Sequence, residues 1–351
     1  MNIYIVQSDI FNKKVNPYTR TLVNGILSID KDVSFTYGLN QLWTDEVFNY
    51  EIVHFMWPDE CLLNHTIDEL KERLIKLRSK NIKIVATCHN IRPHYCNDSN
   101  RLNAYTLCYS YADMIFHMGS YSCDLFKKKF PGVQNIILQH HVLDKLYPTL
   151  PSRVESITKL NLRADKRYIL CFGNFRSEEE RKMIVGLSRM LESSNISIIA
   201  PRFYPIPRGK NFFKKIKPFV KTLTTKLFSS HILVKGSLVS DEMLPYYFGA
   251  ADVVFLQRLI ILNSGNLPLS MFMGKVVVGP NVGNVGRILT ETGNPTFIPG
   301  DNNSVFAAVI KAFALAKEGK GVKNNQYALD NWSTAIVSKK LFNYYNELIS
   351  L

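Results

Sequence analysis

The chain has 351 residues, more than the usual domain of about 100 to 200, which predicts two domains. Hydrophobic residues make up 46% and charged residues 21%, which excludes a disordered or low-complexity chain. The 43 lysines and arginines exceed the 29 acidic residues and give a net charge of +14. This excess indicates an anionic partner: nucleic acid, a membrane surface or a phosphorylated ligand.

Neither a membrane span nor a signal peptide is predicted. Arg258 interrupts the longest apolar stretch, residues 253–262, well short of the roughly 18 residues that a span needs. Residues 1–6 are typical of a strand and not of a signal peptide, so we expect a cytoplasmic protein. The six cysteines show no CxxC spacing and lie largely in apolar runs, as buried reduced thiols do.

The N-terminal half alternates between strand and helix patterns. Residues 51–56 form an apolar β-rich run, and Thr66 and Glu69 have the spacing of a capping box before a helix that ends near Asn81. The next strand, 82–88, follows after so short a crossover that the unit must be parallel βαβ. Further strands are predicted at 114–117 and 135–138, with a helix at 122–130.

The alternation fades over residues 146–167, a polar stretch with two prolines that we interpret as a linker, and then restarts. The predicted strands of the second half are 168–172, 196–200, 232–235, 252–256 and 275–279. Two helix patterns close the chain, one around 305–313 and a terminal one from Trp332 to Leu348.

The pattern predicts an α/β protein with two Rossmann-like, doubly wound domains that face a cleft. We assign residues 1–150 to an N-terminal domain, 151–330 to a C-terminal domain and 331–351 to a terminal helix. Ligands of open parallel sheets bind at the carboxyl ends of the strands, so the residues that directly follow each strand are the functional candidates.

Two loops of the second half are candidate anion sites. Residues 173–176 follow the first strand and are predicted to open a helix, so backbone donors, a helix N-terminus and the Arg176 guanidinium converge there. Residues 263–266 form a small polar loop before an apolar helix over 267–273 and can present N–H groups to an anion. The alternatives are a tight turn with solvated cations and an ordinary helix N-cap.

A third, glycine-rich turn covers residues 279–286 and is predicted to enter a helix at Arg287. It lacks the GxGxxG order and has no suitably placed acid downstream, so a dinucleotide fingerprint is not predicted.

The second half resembles the nucleotide-sugar domain of GT-B glycosyltransferases. In chain order the resemblance is carried by Phe172–Arg176, Lys235–Glu242, Tyr247–Asp252, Asn263–Gly265, Met273–Lys275, Gly283–Gly286 and Pro299–Asp301. It spans most of residues 168–351, and the N-terminal half matches more weakly. Residues 331–333 and the helix after them also resemble the segment that crosses back to the first domain in this superfamily.

The resemblance implies a glycosyltransferase of the hexosyltransferase type. Arg176, with Arg181 or Lys182 as second cation, would neutralise the donor diphosphate as charge develops on the leaving nucleotide. Asp241 and Glu242 would lie near the base and ribose, although an acid that opens a helix is more often a cap. The implied donor-binding residues are Gly173, Asn174, Arg176, Arg181, Lys182, Asp241, Glu242, Asn263, Ser264, Gly265 and Asn266.

The sequence departs from the family pattern at two places. Many retaining members carry two glutamates eight positions apart, but no acid lies between Leu259 and Lys275. Gly286 and Arg287 stand where relatives often have Pro-Glu. Retaining or inverting stereochemistry therefore stays open.

In the first half, residues 53–59 and 87–94 resemble cleft loops of bacterial members that build surface polysaccharides. An inverting enzyme needs a general base near the acceptor hydroxyl. The candidates are Asp59, His89, His94 and Glu60, with Asp59 and His89 first; the alternatives are a hydrogen-bonded histidine at a strand end and a turn aspartate. Candidate acceptor contacts are Asn16, Tyr18 and Trp57.

His140 and His141 follow a strand near the domain boundary, but no third metal ligand can be placed, which favours a structural role. No Asp-x-Asp triplet is present to hold a divalent cation. We therefore predict no bound cofactor, no metal site and no requirement for a metal.

A basic segment covers residues 202–226, with eight lysines and arginines and no acid. Pro218 is predicted to begin a helix with Phe219, Val220 and Leu223 on one face. Such a helix can lie on an anionic leaflet; the alternative is a surface helix with a solvated lysine face. The candidate membrane-surface residues are Lys214, Lys215, Lys217, Lys221 and Lys226.

The leading hypothesis is an enzyme that moves a sugar from a UDP- or GDP-sugar to a hydroxyl of a saccharide acceptor, lipid-linked, in bacterial envelope or capsular polysaccharide synthesis. We expect it in the cytoplasm, peripheral on the inner face of the cell membrane. One alternative is a nucleotide-sugar epimerase of the same fold. Another is a non-catalytic nucleotide or nucleic-acid binder that uses the basic segment, but no nucleic-acid recognition motif is visible, so nucleic acid is not expected as a partner.

Overall fold

A computed structural model describes residues 1–12, 16–93, 98–147, 150–205, 213–228, 231–234 and 239–350. For residues 213–215 and 226–228 it describes the helical backbone alone. The chain divides into two compact units. Unit 1 comprises Met1–Leu143 and Asn331–Leu351, and unit 2 comprises Asp144–Asp330.

Unit 1 contains a six-stranded sheet. Its strands are β1 (Asn2–Val6), β2 (Ser34–Gly38), β3 (Ile52–Phe55), β4 (Lys83–Cys88), β5 (Met114–His117) and β6 (Gln134–Ile137). The helices between them are α1 (Tyr18–Leu27), α2 (Ile67–Ser79), α3 (Ser99–Tyr111) and α4 (Ser120–Lys129). The strand order is β2-β1-β3-β4-β5-β6, and all neighbouring strands are parallel.

Unit 2 contains a second six-stranded parallel sheet. Its strands are β7 (Arg167–Leu170), β8 (Ile196–Ile199), β9 (Ile232–Leu233), β10 (Val253–Phe255), β11 (Val276–Pro280) and β12 (Thr296–Phe297). Its helices are α5 (Arg153–Leu160), α6 (Glu178–Met190), α7 (Phe213–Phe228), α8 (Leu244–Ala250), α9 (Asn266–Phe272), α10 (Gly283–Glu291), α11 (Asn302–Lys317) and α12 (Lys320–Trp332). The strand order is β12-β11-β10-β7-β8-β9.

Both sheets are doubly wound. In each, the chain first moves outward to one edge, then returns to the centre and continues in the other direction. The central strands are buried along their whole length, as in β3 and β10, because helices cover both faces of a parallel sheet. The prediction of two Rossmann-like, doubly wound domains is confirmed.

Reciprocal capping boxes begin two of the described helices. In α2 the Thr66 hydroxyl accepts a hydrogen bond from the Glu69 amide at 3.2 Å, and the Glu69 carboxylate accepts one from the Thr66 amide at 2.6 Å. Ser152 and Glu155 form the same reciprocal pair at the start of α5. The capping box predicted at Thr66 is confirmed.

The terminal helix α13 (Thr334–Ser350) is part of the core of unit 1. It packs against α1 where Gly25 has no side chain, because a Cβ there would collide with Ser338. Further along, the Tyr345 hydroxyl lies 2.6 Å from His54 Nδ1 in the centre of the sheet. Helix α13 therefore closes one face of this sheet with both apolar and polar contacts.

Two predictions of local structure were wrong because a short or interrupted helix was not recognised. Helix α5 lies inside the stretch predicted as a linker; its eight residues bury few apolar side chains and give little periodic signal. Helix α7 begins at Phe213, and Pro218 lies inside it. Apolar spacing continues upstream of the proline, although proline more often marks a first turn.

Two helix boundaries were also misplaced. Helix α10 begins at Gly283 and not at Arg287, because Gly283 adopts a left-handed φ of 58° and the two amides after it donate to the Leu262 carbonyl. Trp332 ends α12 and does not begin the terminal helix. Its carbonyl accepts a hydrogen bond from the Val142 amide at 2.8 Å, which separates the two helices.

No helix among the residues that the structure describes is long and apolar enough to cross a membrane. The cysteines at 61, 88, 108, 123 and 171 are buried free thiols, as predicted, and Cys96 lies outside the described residues.

Candidate active site

The strand order of unit 2 locates its candidate ligand site. The chain runs from β7 to β8 and β9 on one side, then returns to β10 on the other side of β7. The point between β7 and β10 is therefore the topological switch point, where the loops leave the two strands in opposite directions and open a crevice. These two loops are residues 171–177 and 256–265.

Gly173 presents bare backbone at this switch point. It has a φ of 96°, in the region that favours glycine, and a Cβ at this position would lie 3.1 Å from the side-chain nitrogen of Asn266. The Asn266 side chain, at the start of α9, donates to the Phe172 carbonyl at 3.0 Å. Gln257, 3% exposed, makes longer contacts of 3.4 to 3.5 Å to the carbonyls of residues 172–174. Two amide side chains from the second loop thus fix the first.

A buried ion pair lies beside this turn. Arg258, directly after β10, donates to both carboxylate oxygens of Glu180 at 3.0 Å, and the side chains are 15% and 6% exposed. Glu180 also accepts a hydrogen bond from the Arg176 amide at 2.7 Å. Glu180 therefore holds the 171–177 loop against the loop after β10.

The helix predicted after the 173–176 loop is present, and its N-terminus is already capped. Helix α6 begins at Glu178, Ser177 caps it, and its first turn contains three glutamates. Because the cap and the carboxylates occupy this N-terminus, the helix end itself is not available to an anion. Anion binding at the loop would depend on the side chains and on the Gly173 turn.

The predicted cations of this loop have different surroundings. Arg176 and Lys182 are exposed. Arg181 pairs with Glu178 at 2.8 Å and lies over the Tyr204 ring, which leaves it 16% exposed. Arg202, 9% exposed, donates to the Asn174 side chain at 2.6 Å and orients this exposed asparagine.

The 263–266 loop borders the same switch point. Asn263 accepts a hydrogen bond from the fully buried Asn284 at 2.7 Å, which ties the loop to the first turn of α10. Gly265 is exposed, and Ser264 is partly exposed between these anchors. The structure thus brings Asn266 to the Gly173 turn, while Asn263 contacts the glycine-rich turn.

Asp241 and Glu242 are exposed and precede α8. The Tyr147 hydroxyl donates to Asp241 at 3.4 Å. Residues 235–238, a few positions before them, lie outside the described residues, and the approach of Asp241 and Glu242 to a base or ribose stays a prediction. Arg287 is exposed on α10.

Unit 1 has its own switch point, between β1 and β3. Tyr18, 1% exposed at the start of α1, lies within 5 Å, between ring centroids, of His89, His140 and His141. The Trp57 ring stacks on His89 at 4.3 Å and 8°. Three of the predicted first-half candidates, Tyr18, Trp57 and His89, therefore meet in one aromatic cluster.

Burial holds the histidines of this cluster neutral. It lowers the pKa of His89 and of His141 well below the usual range, and that of His140 to about 4. His141 also hydrogen-bonds to the Thr21 hydroxyl through Nε2. A neutral histidine with so low a pKa is a weak general base.

Asp59 lies in a short 3-10 helix after β3, residues 58–62, and is half-buried. Burial and the neighbouring Asp59 charge raise the pKa of the Tyr105 hydroxyl, so this tyrosine stays protonated beside the carboxylate. Burial of the carboxyl and the neighbouring Asp59 raise the pKa of Glu60, the more exposed of the two.

Asn16 caps the entry to α1, because its side chain accepts a hydrogen bond from the Tyr18 amide at 3.0 Å. His94 lies outside the described residues. Within the described part of the chain, no group of three or more histidines, cysteines or carboxylates could hold a metal ion.

Sequence reasoning missed the residues that organise these loops: Glu180, Arg202, Gln257, Arg258 and Tyr105. A usable signal existed for Arg258, a lone charge directly after a buried strand. Arg202 likewise closely follows β8. No local pattern marked Glu180, which resembles any acid in a first helical turn.

No protein-family model matches the chain, and no curated protein shows significant sequence similarity to it. Solved structures do match over its whole length. Sucrose-phosphate synthase from Thermosynechococcus elongatus is 14% identical with a TM-score of 0.74, and 99% of each chain is covered. HepE from Anabaena, solved in complex with UDP, is 14% identical with a TM-score of 0.70, covering 99% of this chain and 100% of HepE.

A protein assigned as a UDP-N-acetylglucosamine 2-epimerase, from Listeria monocytogenes, is 12% identical with a TM-score of 0.62. The match covers 99% of this chain and 97% of the epimerase. At these identities the likenesses establish the fold: two Rossmann-like domains of the GT-B type.

Proposed function

We propose that the chain is a glycosyltransferase that moves a hexose from a UDP- or GDP-sugar to a hydroxyl of a saccharide acceptor. The observation that carries this proposal is the switch point of unit 2. There the Gly173 turn leaves backbone accessible, Asn266 and Gln257 hold it in place, and Arg176, whose side chain is exposed, belongs to the same loop. Bare backbone beside a cation suits a diphosphate.

In this proposal Arg176 and Lys182 bind the donor diphosphate. When the bond from the anomeric carbon to the phosphate oxygen breaks, its electron pair stays on the nucleoside diphosphate as negative charge. Fixed cations stabilise that charge more in the transition state than in the ground state. The Glu180–Arg258 pair keeps the loop in position for this contact.

Asp59 is the proposed base for an inverting reaction. Its carboxylate accepts the proton of the acceptor hydroxyl while the hydroxyl oxygen forms the new bond to the anomeric carbon. The protonated Tyr105 hydroxyl lies near this carboxylate. Asp59 is only partly buried, so an acceptor has room to approach it. Trp57, partly exposed and stacked on His89, offers a ring face for a sugar.

A protein of the same fold supports the donor class: HepE was solved with UDP bound and also with UDP and glucose. We extend this to the chain as a proposal about its nucleotide.

The first test is thermal stabilisation by UDP, GDP, TDP, ADP and CMP. A ligand that binds the native state at about 100 times its Kd adds about 2.7 kcal/mol, so one diphosphate should raise the melting temperature selectively. Arg176→Ala should lose this shift. The matched control Arg189→Ala, an exposed cation at the other end of α6, should keep it. A chain that none of the nucleotides stabilises would contradict the proposal.

The second candidate is a nucleotide-sugar epimerase, which the similarity to the Listeria monocytogenes protein favours. The two activities differ in their need for an acceptor. An epimerase converts the nucleotide sugar when no acceptor is present, whereas a transferase consumes it and releases nucleoside diphosphate in step with acceptor. Nucleotide binding without either turnover would indicate a non-catalytic binder.

We further propose that α7 rests on an anionic membrane surface, which would bring a lipid-linked acceptor of envelope polysaccharide synthesis to the enzyme at the inner face of the membrane. Ile216, Phe219, Val220 and Leu223 follow helical spacing and are 40%, 58%, 48% and 47% exposed. Lys217 beside them is exposed, and Lys221 lies over the Tyr204 ring. An apolar stripe next to lysines suits an anionic leaflet. The side chains of Lys214, Lys215 and Lys226 lie outside the described residues.

Sedimentation with vesicles tests this. Vesicles that contain phosphatidylglycerol should bind the protein, and pure phosphatidylcholine vesicles should bind it much less. Changing Phe219 and Leu223 to serine should abolish binding, because both lose apolar area that would enter the leaflet. Ile310→Ser, at a 45% exposed isoleucine on α11, is the matched control. Equal binding to both vesicle types would show that the lysines do not contribute to membrane binding.

A further inference from the structure

A cavity of unit 2 lies at the amino-terminal edge of its sheet, the edge opposite the switch-point loops. Its volume is about 440 Å³, which falls in the range of small-molecule sites. Residues at the starts of β7, β10 and β11 form its floor. Helices α5, α8, α11 and α12 contribute the walls.

Residues with little or no side chain create the space. Gly249, Gly274 and Gly321 line the cavity together with Ala251 and Ala316. Gly274 has a φ of 68°, and a Cβ on Gly321 would collide with the carbonyl oxygen of Gly274. The backbones at Gly274 and Gly321 can therefore approach each other closely, because glycine has no side chain.

The polar lining is strongly cationic. It contains Arg153, Arg167, Lys275 and Lys317 against one acid, Asp252. That acid is already neutralised: Arg153 donates to it at 3.2 Å, and the Tyr168 amide donates to it at 2.7 Å. Within the described residues, no carboxylate forms an ion pair with any of the other three cations, which leaves an excess of positive charge around the cavity.

Two of these cations are held in place. The Arg167 guanidinium lies 4.8 Å from the centroid of the Phe313 ring, and Lys275 donates to the Ala251 carbonyl at 2.8 Å. Burial lowers the pKa of Lys275 to about 8. The Asp252 carboxylate offsets part of this shift, and the Arg153 charge lowers the pKa further. Arg167 and Lys317 are the other charges that line the cavity around it. An anion in the cavity would remove this penalty.

We propose that this cavity binds a small phosphorylated metabolite, with its phosphate against Arg167, Lys275 and Lys317 and its body against Phe313 and Val276. A dianionic phosphate matches the three cations, and the ring and aliphatic wall give the rest of the molecule an apolar surface. Because the site lies at the other edge of the sheet from the donor loops, it is separate from the proposed donor site. It does not depend on the proposed transferase reaction.

Calorimetric titration of the full chain with glucose 6-phosphate, inorganic phosphate and glucose tests the proposal. The sugar phosphate should bind most tightly, phosphate more weakly, and glucose not at all. Arg167→Gln and Lys317→Gln each alter an exposed side chain and should each weaken binding about tenfold, as expected for the loss of one charge-assisted contact.

Two control variants locate the site. Lys311→Gln changes an exposed lysine on α11 that does not line the cavity, and it should bind like the unchanged protein. Arg176→Ala, in the donor loop, should also retain binding. If Arg176→Ala lost binding while Arg167→Gln retained it, the ligand would be bound at the donor loops and the proposal would be overturned. A protein that bound none of the phosphorylated ligands would also overturn it.

The pH dependence gives an independent readout. The Lys275 ammonium must be protonated to bind the phosphate, so the affinity should fall as pH rises through about 8. Above this value the loss should approach about tenfold per pH unit, because each binding event must take up a proton. Lys275→Met should bind more weakly and without this dependence. An affinity that stays constant from pH 7 to 9 would contradict the role of Lys275.

Discussion

At the switch point of unit 1 aromatic rings and neutral histidines form a cluster, whereas at the switch point of unit 2 a guanidinium–carboxylate pair and amide side chains hold the loops. In the first, the Tyr18 and Trp57 rings each contact His89. Arg258 and Glu180 pair at the switch point of the second. Since both sheets are doubly wound, the backbone determines where a ligand can bind, and the side chains after the strands determine which ligand.

The histidines are concentrated in unit 1. Of the eight histidines, His231 alone lies outside residues 1–143. His54 and His141 are 2% and 0% exposed, and burial lowers the pKa of His54 to about 3. The two units should therefore respond differently to the loss of a charge and to acid.

The largest effect should come from breaking the ion pair of unit 2. Glu180→Ala leaves the Arg258 charge buried and also removes the acceptor of the Arg176 amide. We expect a loss of about 3 kcal/mol in the stability of unit 2. Hydrogen exchange of the β7 and β10 amides measures it, and unit 1 should be unaffected.

Glu178→Ala is the matched control, because that glutamate is 51% exposed and pairs with Arg181 on the same helix. Its removal should cost less than about 1 kcal/mol. Equal effects of the two substitutions would mean that the buried pair contributes no more than a surface pair.

Acid should destabilise unit 1 first. A histidine whose folded pKa is lowered binds its proton more readily in the unfolded chain, so stability is lost as pH falls below about 6.5. For His54 the loss continues down to its folded pKa of about 3. Each such histidine contributes up to about 1.4 kcal/mol per pH unit.

The measurement is hydrogen exchange of β3 and β4 in unit 1 and of β7 and β10 in unit 2 from pH 7 to pH 5. Unit 1 should open at the higher pH. His54→Gln should make the pH dependence of unit 1 shallower, whatever its effect on stability at pH 7. If the slope is unchanged, the neutral buried His54 is not a source of acid sensitivity.

The smallest effect should be the same in both units. Thr66→Ala in α2 and Ser152→Ala in α5 each remove a capping box and should each cost about 1 kcal/mol. Urea unfolding measures the loss. Ser110→Ala, an exposed hydroxyl that bonds a carbonyl within α3, should change stability by less than about 0.5 kcal/mol. A larger loss in one unit would show that the cap there also supports tertiary contacts.

Local patterns predicted most of the scaffold. The strand at 114–117 matches β5, and the capping box at Thr66 begins α2 as expected. Such features depend on residues a few positions apart: apolar runs that must be buried, and hydroxyls that satisfy the first amides of a helix. Helix α5 was missed because eight residues carry too little periodic signal.

The candidate loops could be located from the sequence, but their internal contacts could not. Gly173 and Asn263 were singled out because they follow strands. The contacts that shape their loops join residues far apart in the chain: Arg258 to Glu180 over 78 positions, and Asn266 to Phe172 over 94. The same holds for the His54–Tyr345 contact, over 291 positions.

The sequence by itself determined the α/β class, the parallel βαβ units and the loops that can bind a ligand, because each follows from hydrophobic periodicity and short-range caps. Only the tertiary structure decided that β10 returns to pair with β7, and with it the ion pair at the switch point and the cationic cavity at the opposite edge. The physical reason is that strand order depends on the packing of whole elements, which no local pattern encodes.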